Sequence, residues 1–221
     1  EHHGFESVVL FSQNSVTGEI DPNNPSNIPG LHLVAGADLL VLQLRFRELG
    51  DVDMAHIMRH VETGKPLVGI RTATHAFNYK ENLASPFAKW SWRSSNPEGG
   101  FGREILGETW VAHHGHHGRE ATRGVPNPDL SGHPVLRGVT DVFGPTDVYA
   151  IRDLPTDAQV LLYGSVLAGM TPDSPPVGGA KNNPMHPVAW LRQRPLPGRS
   201  EEHTSELQSR RNLVCRLPLE K

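Results

Sequence analysis

The stretch of residues 38–77 constrains the fold more than any other part of this chain. Residues 38–44 form a nearly continuous apolar run, which is typical of a parallel strand buried on both faces. A helix is predicted next, because Asp51 suits an N-cap, Gly64 suits the C-terminal end, and apolar residues recur at helical spacing (Met54, Ile57, Met58 and Val61). Residues 67–70 then form a second short apolar strand. Strand, crossover helix and strand fit one right-handed βαβ unit, which predicts an α/β fold.

Polar side chains leave the carboxyl ends of both predicted strands, where ligands bind in open α/β sheets. Arg45 and Arg47 follow the first strand, and Arg71, Thr72 and His75 follow the second. A single arginine at such a place most often solvates a loop end. For three arginines beside an imidazole at one sheet edge, two interpretations are equally favoured. One is this solvating role, and the other is a crevice that binds a polar or anionic ligand.

Further strands are predicted from alternating or apolar segments at residues 5–12, 146–151, 158–166 and 186–191. Residues 13–30 are predicted to form a long polar loop. Residues 76–100 are rich in aromatic side chains with weak periodicity. This favours a small core beneath a loop over a sugar pocket, although aromatic faces suit the C–H surfaces of carbohydrates. Asp147 and Tyr149 are candidate polar contributors to the crevice, yet at a strand end such residues are more often structural.

The segment VAHHGHHGRE brings four histidines together: His113, His114, His116 and His117. Imidazoles at this density could bind zinc, copper, iron or nickel, and we take His114, His116 and His117 as candidate metal ligands. The spacing matches no well-defined zinc pattern, and the glycines disfavour a helix that would align the side chains. The alternative is a polar loop whose histidines hydrogen-bond to backbone groups or to substrate hydroxyls.

Composition and charge argue against two classes of function. The formal net charge is −3 and no basic run offers a surface for phosphates, which argues against a general nucleic-acid binder. No apolar stretch approaches the roughly 20 residues that span a bilayer. No signal peptide is visible, but the chain begins without an initiator methionine, so a cytoplasmic and an exported location both stay open. A length of 221 residues suits one domain, and homo-oligomer formation also stays open.

The C-terminal tail differs in kind from the rest of the chain. Residues 199–209, RSEEHTSELQS, resemble the translation of an adapter oligonucleotide used in sequencing libraries. We therefore expect residues 199–221 to be a non-native tail, with the natural domain confined to residues 1–198. Cys215, the only cysteine, lies in that tail, so neither a disulfide nor thiolate catalysis is expected of the natural part.

Several motifs resemble a known family when they are taken in order: VLFSQN, ADLLVL, GKPLVGIRTATHAFNY, GGFGREILGETWVAHHGHHG, GPTDVYA and MHPVAW. Together they resemble a ThuA-like (trehalose-utilisation) domain of the type-1 glutamine amidotransferase-like superfamily. The resemblance implies a flavodoxin-like three-layer α/β sandwich with a mostly parallel sheet. It also implies that this sheet is incomplete at both ends, because the first strand is missing and the last segment is replaced by the tail.

The resemblance further implies a role in disaccharide or keto-sugar metabolism, with a small-molecule sugar as the ligand. The nucleophilic cysteine of the superfamily falls near Arg71, so amidotransferase activity is not expected. In a sugar-converting enzyme, the expected catalytic residues are His75, Arg71, His113 and His114. The expected substrate-binding residues are Arg45, Arg47, Thr72, Asp147 and Tyr149.

Two alternatives stay open beside the sugar-converting enzyme. One is a non-catalytic carbohydrate-binding or regulatory module that keeps the crevice. The other is a metal-dependent hydrolase that uses the HHGHHG loop. The cofactor stays open, and a divalent metal would serve that second alternative.

Overall fold

The computed structural model describes residues 4–193 and the backbone of residues 212–215. Within these ranges it has one α-helix, α1, at Asp51–Glu62. The strands are β1 (Leu40–Leu42), β2 (Leu67–Ile70), β3 (Ala121–Pro126), β4 (Phe143–Gly144), β5 (Ala158–Leu167), β6 (His186–Arg192) and β7 (Asn212–Cys215). They form one sheet in the order β1–β2–β7–β6–β5–β3–β4. None of the helices in the described ranges is long and apolar enough to cross a bilayer.

The predicted βαβ unit is confirmed. β1 and β2 pair in parallel, with Leu40 opposite Leu67, and α1 connects them. The predicted apolar face of α1 (Met54, Ile57, Met58 and Val61) is buried. The N-cap is Gly50 rather than Asp51, because the Asp51 carboxylate instead accepts a 2.6 Å hydrogen bond from Ser85 Oγ. Gly64 follows the helix with φ of 71°, a left-handed conformation that glycine adopts without a steric penalty.

The prediction of a mostly parallel sheet is wrong: the sheet is mixed. Only β1–β2 and β2–β7 are parallel, whereas the other four pairings are antiparallel. A parallel neighbour needs a crossover of a dozen or more residues, usually a helix. Residues 168–185, between β5 and β6, are rich in Pro, Gly and Asn and contain only a short 3₁₀ turn at Gly179–Lys181. This connection has no crossover helix, and β6 pairs antiparallel to β5.

Two predicted strands are not formed. Residues 5–12 form no strand of the sheet, and Phe5, Val8 and Val9 are exposed. Residues 146–151 also lie outside the sheet. Their backbone instead pairs with the histidine-rich loop, where His114 N donates to Val148 O and Ala150 N donates to Ala112 O. By contrast, β5 and β6 confirm the strands predicted at residues 158–166 and 186–191.

The core beneath the β1–β2 end of the sheet collects side chains from distant parts of the chain. Phe77 and Phe101 meet edge to face with ring centroids 5.0 Å apart. Trp190 of β6 is fully buried, and its indole Nε1 donates a 2.7 Å hydrogen bond to Leu106 O. Gly69 in β2 leaves room for Leu106, since a Cβ there would lie 2.9 Å from a Leu106 methyl carbon. This packing fixes the carboxyl end of β2, where the next turn begins.

One central strand comes from the tail that we expect to be non-native. β7 lies between β2 and β6, parallel to the first and antiparallel to the second. Its backbone therefore joins the βαβ end of the sheet to the antiparallel end.

Candidate functional site

The turn after β2 begins at Arg71, whose backbone lies in the left-handed region with φ of 39°. This conformation is unfavourable for a residue with a Cβ, so it persists only where surrounding contacts hold it. Arg71 Nη1 donates to Asp147 O at 3.2 Å, and Nη2 donates to Asp147 Oδ1 at 3.3 Å. Its Cζ lies 4.2 Å from the centroid of the Tyr149 ring. The arginine at the end of β2 is thus tied to the segment around Asp147.

Asp147 is the centre of the site. Its side chain has no exposed area, and beside Arg71 it accepts hydrogen bonds from two imidazoles. His113 Nδ1 lies 2.5 Å from Oδ2, and His117 Nδ1 lies 2.7 Å from Oδ1. Burial acts to raise the pKa of Asp147, but the hydrogen bonds from His117 and His113 and the charge of Arg71 bring it below its ordinary value. The buried group is therefore a carboxylate.

The two imidazoles bound to Asp147 are partly exposed to solvent. The side chain of His113 is 40% exposed and that of His117 is 69% exposed. With Nδ1–H donated to the carboxylate, Nε2 of a neutral imidazole is left as an acceptor. His113 can therefore present a basic nitrogen, oriented from behind by a buried carboxylate, to a ligand in front of it.

Aromatic rings extend from this cluster to the turn after β2. His75 is buried, and its ring lies near four others at centroid distances of 4.9 to 6.4 Å: Phe46, Trp110, Tyr149 and Trp92. Trp92 and Trp110 are 5.4 Å apart, and Trp110 lies 5.5 Å from His113. Trp92 and Trp110 are only partly buried. We call Phe46, Trp92, Trp110 and Tyr149 the aromatic wall.

The structure brings most of the expected site residues together. Arg71, His75, His113, Asp147 and Tyr149 form one connected cluster through the contacts above. Thr72 lies in the same turn, directly after Arg71.

The two arginines after β1 lie apart from Asp147. Arg45 is exposed, with its Cζ 5.0 Å from the Phe46 ring at the outer end of the wall. Arg47 instead holds the polar loop of residues 13–30 in place: Nη1 donates to Ser12 Oγ at 3.2 Å and Nη2 donates to Pro22 O at 3.0 Å. The structure therefore gives Arg47 a loop-anchoring position rather than one at the carboxylate.

The metal ligands proposed from sequence do not come together as a set. His114 Nε2 lies 2.9 Å from Lys181 O, with its ring against His186 at 4.3 Å. His116 is exposed, and its amide donates to Glu120 Oε2 at 2.6 Å. Of the three, only His117 joins a convergent group, with His113 and Asp147, whose ligand atoms all lie within 4.8 Å of one another. The predicted set of metal ligands does not form because the chain bends at Gly115, so the imidazoles on either side of it have different partners.

Sequence reasoning missed two kinds of residue. Trp110 connects the aromatic wall to His113, and its only sequence signal is its place just before the histidine-rich segment. Glu120 and Lys181 form an ion pair at 2.6 Å that holds this segment against residues 179–183. Burial acts to raise the pKa of Glu120, but the hydrogen bonds from Lys181 and the His116 amide lower it overall. The 61 positions between Glu120 and Lys181 leave no local signal for this pair.

No protein-family model matches the sequence, and no curated protein matches it either. Among solved structures, one that matches is covered to 62% of its length by 85% of this chain, so the chain spans less than two thirds of that protein. That protein is from Bacteroides uniformis, with a TM-score of 0.45 and 13% sequence identity, and it is described as ThuA-like.

Proposed function

We propose that this chain is a ThuA-like protein with a flavodoxin-like α/β core, and that it binds and acts on a sugar at the carboxyl ends of β1 and β2. The observation that carries the proposal is the buried Asp147 carboxylate, which holds His113, His117 and Arg71 beside the aromatic wall. Ligands of open α/β sheets bind at this edge.

The composition of the site suits a carbohydrate. Trp92 and Trp110 are partly exposed, and their rings offer apolar surface for the C–H groups of a sugar. His113 and His117 at the end of the wall offer hydrogen-bonding groups for hydroxyls. A few polar groups set into an aromatic lining are typical of sites for small polar ligands.

The chemistry that fits this arrangement is proton transfer by His113. An imidazole changes its charge near neutral pH, and a buried carboxylate on its other nitrogen fixes its tautomer and orientation. Arg71 stands at the position of the superfamily's nucleophile, but its guanidinium is engaged by Asp147, so its role is to hold that carboxylate. Amidotransferase activity is not part of this proposal, because Arg71 stands where the superfamily has its cysteine. The nearby Thr74 hydroxyl lies 3.4 Å from His75 Nδ1, but it is buried and donates to Arg71 O.

The first test is binding followed through the tryptophans. On titration with trehalose and with a 3-keto-disaccharide, the indole NMR signals of Trp92 and Trp110 should shift. The signal of Trp190 should stay in place, because that indole is fully buried and bonded to Leu106 O. Shifts confined to Trp190, or no shift with either sugar, would contradict the proposal.

The second test separates an enzyme from a binding module. His113→Gln should retain sugar binding but lose turnover by about 100-fold or more, the usual contribution of a general acid or base. Arg59→Gln serves as the control, since Arg59 is exposed on α1. If His113→Gln turns over sugar at the rate of this control, His113 is not the proton-transfer group. If neither protein turns over any sugar that binds, the non-catalytic carbohydrate-binding module is the better description.

A metal-dependent hydrolase is the second candidate, favoured by the convergence of His113, His117 and Asp147 within 4.8 Å. Two imidazoles and one carboxylate form a donor set used for zinc and for non-haem iron. A bound ion would supply Lewis acidity and an activated water. This candidate predicts stoichiometric metal by elemental analysis and loss of hydrolysis in both chelated protein and His117→Gln. Full activity of chelated protein would exclude it.

A further inference from the structure

We propose that the sugar carries a negative charge, and that Arg45 and Arg93 bind it at the end of the aromatic wall away from His113. This inference rests on the proposed function, since it names the class of sugar. The ligand is a sugar carboxylate or a sugar phosphate. Its anionic group lies over Phe46 and Trp92, and its reacting carbon lies at His113.

The two arginines lie over neighbouring rings of the wall. Arg45 Cζ is 5.0 Å from the Phe46 centroid, and Arg93 Cζ is 4.3 Å from the Trp92 centroid. The centroids of Phe46 and Trp92 are themselves 5.6 Å apart. Both arginines are exposed. Two positive charges therefore lie over neighbouring rings at one end of the proposed sugar site.

Their hydrogen-bonding capacity is unused within residues 4–193, where neither arginine forms an ion pair. Some other described arginines are paired with carboxylates, for example Arg71 with Asp147 and Arg192 with Asp157, whereas Arg59, Arg119 and Arg137 form no ion pair there. Stacking on a ring occupies the face of a guanidinium but leaves its N–H edge free for a planar or tetrahedral anion. A ligand with a carboxylate or phosphate would complete both groups with charge-assisted hydrogen bonds.

The local backbone is built to present this end of the wall. Phe46 is one of two non-glycine residues with positive φ, at 53°, in the described ranges, and the other is Arg71. The strained turn at Phe46 is held by its amide, which donates to His75 O at 3.0 Å. Left-handed conformations of residues with a Cβ persist where contacts enforce them, and they cluster at ligand sites. The two strained residues stand at the two strand ends that define the crevice.

The wall also sets the direction in which the ligand lies. From Phe46 and Trp92, ring contacts lead through Trp110 to His113, each between 5.4 and 5.6 Å. The positive end and the proton-transfer end are thus separated by one tryptophan. A sugar whose anionic group is remote from its reacting carbon fits this spacing, whereas an anion directly on the reacting carbon would place the charge beside Asp147.

The test compares matched ligands by isothermal titration calorimetry on the full chain. Glucuronate and glucose 6-phosphate are the charged probes, and methyl glucoside is the neutral one. The charged probes should bind more tightly, and the preference should fall as salt is raised. Arg93→Gln and Arg45→Gln should each weaken the charged probes by about 10-fold and leave the neutral probe unchanged, as expected for loss of a charge-assisted hydrogen bond. Arg59→Gln, on α1, should change neither class.

Each outcome decides one proposal. Preference for glucuronate alone identifies a carboxylate site, and preference for the phosphate alone identifies a phosphate site. Equal affinity for charged and neutral probes in the unsubstituted chain would overturn the anionic preference while leaving the sugar site intact. Binding of the charged probes that is insensitive to both arginine substitutions would overturn the role of Arg45 and Arg93. Absence of binding by every probe and by the disaccharides would contradict the proposed function itself.

Discussion

Asp147 determines what its neighbours can do at the scale of single residues. A buried carboxylate without partners is strongly unfavourable, so the hydrogen bonds from His113, His117 and Arg71 are needed for its burial as an ion. The same bond from His113 Nδ1 orients its ring and leaves Nε2 as the nitrogen that would act in the proposed reaction. Stability and proposed function therefore depend on one group.

Asp147→Asn should remove the charge while keeping the size of the side chain. We expect the free energy of unfolding to fall by about 2 kcal/mol at pH 7, because hydrogen bonds to a charged group contribute roughly 1.5–3 kcal/mol. The variant should also lose proton-transfer activity, since a neutral amide orients His113 less well. Urea denaturation and turnover measure the two effects.

The loss of unfolding free energy expected for Asp147→Asn should depend on pH, because folding lowers the pKa of Asp147. Burial opposes this lowering, but the hydrogen bonds from His117 and His113 and the charge of Arg71 outweigh it. A carboxyl whose pKa is lowered by folding adds stability above its unfolded pKa and loses it as the pH falls through the folded pKa. The stability difference between the unsubstituted chain and Asp147→Asn should thus persist at pH 5 and shrink below about pH 4. A difference that stays constant down to pH 3 would show that the charge of Asp147 adds no stability.

At the scale of elements, the histidine-rich loop depends on Gly115. A Cβ at this position would lie 3.2 Å from Asp147 Cβ and 3.3 Å from Glu120 Oε2. Gly115→Ala should therefore push the loop away from Asp147 and weaken ligand binding by about 10-fold, which corresponds to roughly 1.4 kcal/mol. Calorimetry with the sugar that binds best measures this.

Gly178→Ala is the matched control for Gly115→Ala. Nothing lies within 4 Å of a Cβ built at Gly178, and its φ of −76° suits alanine. The control should bind ligand like the natural chain. If both variants bind equally well, the close approach of Gly115 to Asp147 does not position the imidazoles.

The elements also show what could be predicted from the sequence. α1 and β2 were predictable because apolar spacing, Gly64 and flanking turns are local signals. The partners of Asp147 were not, since His113 and His117 precede it by 34 and 30 positions and the contact depends on how two loops meet. The strand predicted at residues 146–151 failed for the same reason: its alternating pattern is satisfied by pairing with the histidine-rich loop rather than with the sheet.

At the scale of the whole molecule, the sheet is continuous only through β7. Its backbone pairs with β2 on one side and with β6 on the other, so it joins the part of the sheet that carries Arg71 to the part formed by β3 to β6. The sequence predicts that residues 199–221 are a non-native tail. Deletion of residues 199–221 should leave stability unchanged if they are only a foreign extension. It should lower stability if β7 is needed as a central strand.

Removal of residues 199–221 should lower the melting temperature and broaden the transition, because the edges of β2 and β6 would lose their backbone partners. Removal of residues 216–221 alone is the matched control, since it shortens the tail but keeps β7. Calorimetric scans of the full chain and both deletions measure the effect. The control should melt with the full chain, well above the longer deletion. Equal melting of all three would mean that pairing by β7 contributes nothing to stability, and that β1 and β2 are held to the rest of the molecule by packing alone.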